Sequence, residues 1–185
     1  ANFQSAVFSP FNLLFVVLPF IDAWSLLILL QPLLAGIFMY IFLKSLKRSE
    51  TGSLIGSIAF MFCGFIVGWM AYGTLAYAIL YLPLMLYGIE KHFIKPTFMT
   101  ALLISFVIPL SLFSGHFQTS IYFLLVSASY LLYKWLISKK HKAFLLSLLL
   151  FAVGITISLP QLLPTYHFYQ QSVRSTLYQK GGVIP

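Results

Sequence analysis

Charge is what this sequence has least of. Only 8% of its 185 residues are charged, where a soluble domain carries about 25%. That supply cannot cover a surface facing water on all sides, so a soluble globular fold is excluded. Acidic groups are scarcer still: three Asp and Glu stand against 11 Lys and Arg, for a net charge of +8. Disorder is excluded too, because it needs low hydrophobicity and high charge density, and 61% of these residues are apolar. Cys63 is the one cysteine, so no disulfide framework holds the chain. No glycine-rich phosphate loop marks a nucleotide-driven pump. No pair of His, Cys or carboxylate residues has metal-ligand spacing within a helix, and no Ser-His-Asp order suggests a hydrolase. A signal pattern is missing as well, since neither Met nor a basic stretch precedes the first apolar run. What remains is an integral membrane protein.

The long apolar runs support an all-α, polytopic fold of about six transmembrane helices. They cover residues 23–43, 53–69, 74–89, 97–113, 119–137 and 143–163, each near the length that crosses a bilayer. The runs are apolar on every side and lack the two-residue alternation of a lipid-facing barrel strand. Residues 1–22 form an extracytoplasmic, interfacial lead-in, with the short run 11–18 lying at the interface. Residues 164–185 form a truncated polar segment on the same side. The chain reads as a piece of a longer protein.

The basic residues orient the spans. Lys44, Lys47, Arg48, Lys91, Lys95, Lys134, Lys139, Lys140 and Lys142 all fall on one side if the six spans alternate. Only Arg174 and Lys180 fall on the other. Loops rich in Lys and Arg stay in the cytoplasm, so 1–22, 70–73, 114–118 and 164–185 are extracytoplasmic. The positive charge belongs to short loops beside the bilayer, and nucleic acid is not a partner.

Several features read as architecture. Gly52, Gly56, Gly64 and Gly68 recur at multiples of four and would line one close-packed helix face. Pro32, Pro83 and Pro109 lie inside spans and can kink them. Trp24, Trp69, Tyr72 and Trp135 stand at span ends as interfacial anchors. Cys63 reads as a small buried residue. Glu50, Glu90, His92 and His141 read as solvated charge in cytoplasmic loops.

The extracytoplasmic side carries the candidate site. Asp22 is the only carboxylate there. His116 and Gln118 join spans 4 and 5, Gln161 stands between Pro160 and Pro164, and His167 and Arg174 follow. Polar groups at membrane depth are costly unless paired or wetted, so such groups often mark a site. His, Gln, Tyr and one Arg suit a hydroxyl-rich or phosphorylated ligand, since Arg forks onto phosphate oxygens and aromatic faces receive a sugar ring or a lipid chain. The alternative is that His116 and Gln118 cap helix ends and Gln161 satisfies backbone freed by the prolines.

The order of motifs resembles the YfhO-like family of bacterial membrane proteins, within the GT-C class of membrane glycosyltransferases. The matching pieces are Phe8-Ser9-Pro10-Phe11-Asn12-Leu13-Leu14, Gly64-Phe65-Ile66-Val67, Leu82-Pro83-Leu84-Met85-Leu86-Tyr87-Gly88-Ile89-Glu90, Gly115-His116-Phe117-Gln118, Gln161-Leu162-Leu163-Pro164-Thr165 and Ser172-Val173-Arg174-Ser175. Phe117 stands where that family typically has Pro. The resemblance implies a transferase in the bacterial cytoplasmic membrane. It would take a sugar from a polyprenyl-phosphate donor and pass it to a cell-envelope acceptor, often with a divalent metal as cofactor. The acidic loop that serves catalysis in that class would lie upstream of Ala1, so the role is not assigned to Asp22. His116, Gln118, Gln161, His167 and Arg174 are then expected to bind substrate. The other readings are a transporter or lipid flippase, and a non-catalytic membrane subunit.

Overall fold

The computed structural model describes residues 3–171, and among them every regular element is helical. The chain begins with 3-10 turns at Phe3–Ser5 and Pro10–Leu13 and a single helical turn, α1 (Leu14–Val17). Then come α2 (Phe20–Ser45), α3 (Glu50–Met61), α4 (Gly64–Trp69), α5 (Leu75–Leu80), α6 (Leu82–Ile94), α7 (Phe98–Phe113), α8 (Phe117–Ser138), α9 (His141–Ile157) and α10 (Leu159–Gln170).

Local chemistry explains most of the boundaries. Pro19 precedes α2, whose first turn holds Asp22 and whose last turn holds Lys44, each sign favourable for the helix dipole. Ser49 caps α3 by accepting from the Gly52 N–H. Thr97 and Thr100 form a reciprocal capping box at the start of α7, satisfying two otherwise orphaned donors. Pro83 sits in the first turn of α6, where its missing N–H costs nothing. It therefore starts a helix after a break at Tyr81 and does not kink one. Pro32 and Pro109 do lie inside α2 and α7.

Three helices are long and apolar enough to cross a membrane: Phe20–Ser45, Glu50–Tyr72 and Phe117–Ser138. A fourth is obtained if α9 and α10, which bend by 62° at Ser158, count as one. Helix α7 is apolar but shorter, at 16 residues. The expected third run is the broken pair α5 and α6. The expected first run starts earlier than Ala23, because α2 opens at Phe20 and takes in Asp22. The expected polar tail is helical as far as Gln170.

Contacts between helices give the packing direction. Lys44 meets Glu50, Gln31 meets the Met70 carbonyl, Glu90 meets Lys134, and Lys140 meets the Phe93 carbonyl. Consecutive long segments therefore run antiparallel, and the nine basic residues gather at one end. This is called the basic end below, and the other the distal end.

The α5–α6 rod is the centre. Ala76, Tyr77, Ala78, Leu80, Tyr81, Met85, Ile89 and Phe93 are all buried, within a core shared with Ile104, Ile108, Leu112 and Phe123. The helices around it add small polar residues to their inward faces and large apolar ones to their outward faces. Ser53 and Ser57 of α3, Ser105 and Ser111 of α7, Ser120 and Ser127 of α8, and Ser147 of α9 face inward and are buried. Leu29, Ile55, Leu125 and Leu149 face outward and are exposed. Small inward residues let backbones approach: a Cβ on Gly154 would lie 2.8 Å from the Ser105 carbonyl oxygen of α7.

The expected glycine stripe is only half realised. Helix α3 ends at Met61, and Cys63, half-buried at the break, caps α4 in an extended conformation. Gly64 and Gly68 are thereby turned to open space, where a Cβ would meet nothing within 4 Å. In this region Gly56 of α3 meets Leu43 of α2, whose Cδ1 would lie 2.5 Å from an added Cβ, and Gly36 of α2 meets Met61.

Candidate functional site

At the distal end the chain before α2 lies across the ends of the later helices. Asn12 ties this segment into a compact unit, its side-chain amide donating to the Ala6 carbonyl at 2.7 Å and to that of Ser5 at 3.5 Å. Gly115, at φ +88, lets the α7–α8 turn press against it: a Cβ there would lie 2.9 Å from Ala6 Cβ and 3.2 Å from the Gln4 oxygen. The Phe3 ring meets the Phe117 ring edge-on at 5.6 Å. Gln161 donates its amide to the Phe3 carbonyl at 3.4 Å and is buried.

These contacts bring the start of α8 close to α10, and a cavity of about 460 Å³ opens between them. Phe117, Leu162, Thr165, Tyr166 and Tyr169 line it. The walls are apolar and aromatic. The polar residues expected from the sequence are their chain neighbours: His116 and Gln118 flank Phe117, Gln161 precedes Leu162, and His167 follows Tyr166. Four of the five expected site residues are therefore next in sequence to a wall residue, and none of the four forms the walls. Arg174 lies outside the described residues.

Each of the four has local work. His116 caps α8: its Nδ1 accepts from the Thr119 N–H at 3.3 Å and lies 2.7 Å from the Thr119 hydroxyl. With Nδ1 as acceptor, the proton of the neutral ring is on Nε2, which is left as a donor. Burial lowers the His116 pKa below the ordinary histidine value, because desolvation disfavours the charged ring. Gln118 donates to the Tyr122 hydroxyl at 2.7 Å, and both are exposed. Gln161 holds down residue 3. His167 is exposed, with its ring 6.1 Å from that of Tyr166. Asp22 is exposed in the first turn of α2. Among the described residues no three His, Cys, Asp or Glu side chains converge, so they do not form a donor set for a divalent metal.

Three groups of polar residues extend or correct the sequence reading. The first is the wall set: Tyr166 and Tyr169 are among the tyrosines expected on this side, and Thr165 joins them on α10. The second is Gln31, fully buried in α2. Its amide donates to the Met70 carbonyl at 2.9 Å, while Oε1 has no partner. The Tyr77 hydroxyl donates to the Leu27 carbonyl beside it at 2.8 Å. The third lies at the basic end. Glu90 and His92, expected in a loop as solvated charge, are on α6 and are 6% and 0% exposed. Glu90 accepts from Lys134 at 2.9 Å and from the Tyr130 hydroxyl, and His92 Nδ1 pairs with the Thr100 hydroxyl. A buried carboxylate needs such partners. Tyr130 and Lys134, four residues apart on one face of α8, were the readable sign of them.

No protein-family model, curated protein or solved structure matches this chain.

Proposed function

We propose that the chain is a multi-pass protein of the bacterial cytoplasmic membrane and forms part of a GT-C-type glycosyltransferase. Its distal end would hold a polyprenyl-phosphate sugar donor beside an extracytoplasmic acceptor. The observation that carries the reading is the cavity at that end. It has apolar and aromatic walls, and His116, Gln118, Gln161 and His167 are the chain neighbours of the residues that form them. Tyr166, Tyr169 and Phe117 supply faces for an isoprenoid chain or a sugar ring. Gln118, His167 and Nε2 of His116 are the groups available to sugar hydroxyls. Arg174 supplies charge for the departing phosphate, an electrostatic contribution aimed at where charge develops.

The membrane placement is supported by the outward apolar and inward small, polar faces of α2, α3, α8 and α9, since large contiguous apolar surfaces are otherwise rare. The chain passes six times, over the six apolar runs, with the short α7 and the broken α5–α6 pair shielded inside the bundle. The basic end is cytoplasmic by the distribution of Lys and Arg.

The test is photolabelling of the protein in liposomes with a polyprenyl-phosphate sugar that carries a photoreactive isoprenoid tail. The label is expected on the peptides holding Phe117 and Leu162–Tyr169, and His116→Ala, Gln118→Ala and Arg174→Ala are expected to lower sugar transfer. Label confined to the basic end, or full transfer in all three variants, overturns the reading. The breaks at Phe62, Tyr81 and Ser158 favour a second reading, a transporter or lipid flippase, because discontinuous helices often line transport sites. Flux of labelled lipid across liposomes without sugar transfer would select it.

A further inference from the structure

The basic end holds far more positive charge than the chain neutralises. Glu50 is taken by Lys44 at 2.8 Å and Glu90 by Lys134 at 2.9 Å, while Asp22 is at the distal end. Seven of the nine cations there face no carboxylate. Five of those seven, Lys91, Lys95, Lys139, Lys140 and Lys142, lie in or beside the α6–α7 and α8–α9 turns, with Lys91 Nζ 5.6 Å from the Tyr87 ring centre. Lys140 Nζ donates to the Phe93 carbonyl at 2.6 Å and so clasps the α8–α9 turn to the end of α6. The turn is itself tied down. The Lys139 N–H donates to the Trp135 carbonyl at 2.8 Å, the His141 N–H to the Lys139 carbonyl at 3.0 Å, and the Trp135 indole to His141 Nδ1 at 3.1 Å. Lys95, Lys139 and Lys142 are thereby displayed, exposed, around a fixed turn. At the end of α6 and the start of α7, Ile94, Phe98 and Met99 are exposed by 63%, 75% and 73%.

We propose that this junction binds the headgroup of an anionic phospholipid. The phosphodiester would sit among Lys95, Lys139 and Lys142, and the acyl chains against Ile94, Phe98 and Met99. The inference rests on the membrane reading above. Charge complementarity selects the occupant: basic side chains beside an anionic leaflet are attracted to it, and apolar side chains next to them favour a lipid over a soluble anion. The fixed turn reduces the ordering cost of gathering the charges.

Trp135 reports on this junction, and Trp24 and Trp69 report on the distal end. The full chain is reconstituted in phosphatidylcholine vesicles containing brominated phosphatidylglycerol or brominated phosphatidylcholine. Tryptophan quenching is read in Trp24→Phe/Trp69→Phe and in Trp135→Phe. Trp135 is expected to be quenched preferentially by the brominated anionic lipid, with the preference weakening as salt rises. The other two tryptophans are expected to show no preference. Changing Lys95, Lys139 and Lys142 together to Gln is expected to lower the relative affinity at least about tenfold. Equal quenching of Trp135 by both lipids, or an unchanged preference in the triple variant, overturns the proposal and leaves the membrane reading standing. Loss of the preference on adding millimolar inorganic phosphate at constant ionic strength also overturns it, in favour of a free-phosphate site. Quenching of no tryptophan by either lipid overturns both.

Discussion

Removing Lys134 should do more damage than removing the whole Glu90–Lys134 pair. The two charges are 2.9 Å apart, with the carboxylate side chain 8% and the lysine side chain 23% exposed. At an effective dielectric of about 20, Coulomb attraction at that distance is on the order of 6 kcal/mol. Desolvating the two ions costs several kcal/mol each, so the intact pair contributes little net stability. Lys134→Met leaves the Glu90 carboxylate in place with only the Tyr130 hydroxyl, and is expected to cost about 3–5 kcal/mol. Glu90→Gln costs less, because the lysine is nearer to solvent. Glu90→Gln/Lys134→Met should recover most of the loss, leaving a coupling of about 1.5–3 kcal/mol. The assay is equilibrium unfolding in mixed micelles, followed by far-ultraviolet circular dichroism for wild type and the three variants. Additivity within about 0.5 kcal/mol would refute the reasoning, because it would mean that the carboxylate does not depend on the lysine.

Three further outcomes are expected from the packing. Gly154→Ala should destabilise by about 1–3 kcal/mol in the same unfolding assay, since its Cβ would lie 2.8 Å from the Ser105 oxygen and 2.9 Å from Ile108 Cβ. Gly115→Ala, at φ +88 against Ala6, should cost about 1–2 kcal/mol and should raise amide hydrogen exchange across residues 3–12. Burial lowers the folded His116 pKa, so its contribution is full above an unfolded value of about 6.5. That contribution is lost as pH falls through the lowered folded value. Wild-type stability should therefore decline on acidification more than that of His116→Asn, which can still cap the helix.

The sequence carried the helices better than their interruptions. The runs 23–43 and 119–137 foreshadow α2 and α8 to within three residues at each end, because a long apolar run is read by length alone. The breaks at Phe62 and Tyr81 fall inside apolar runs and leave little trace in hydropathy. Only Pro83, at the second position of α6, hints at one of them. The stripe expected at Gly64 and Gly68 fails for the same reason: four-residue spacing presumes an unbroken helix. Falling hydropathy at Glu90 and His92 predicts a loop, yet the helix runs on to Ile94. Their partners, Tyr130, Lys134 and Thr100, lie on other helices, which a local window cannot see. At the distal end the sequence orders His116, Gln118, Gln161 and His167 by side and depth only. The roles of His116 as cap and Gln161 as tie, and the cavity lined by their chain neighbours, depend on contacts such as that of Phe3 with Phe117.

The placement of the α5–α6 rod has a consequence in time. It is synthesised third, yet it is the element that the others enclose. Its carboxylate at position 90 and the lysine that answers it are separated by 44 residues. At about 5–20 residues per second, Glu90 leaves the ribosome roughly 2–9 s before Lys134. For about the first half of that interval the rod also lacks Ser111, whose hydroxyl holds the Ala78 carbonyl at 2.7 Å, and until after its end it lacks Lys140, which holds the Phe93 carbonyl. The heart of the molecule is therefore made before its walls, and it must wait for α7, α8 and the α8–α9 turn before its polar groups are answered.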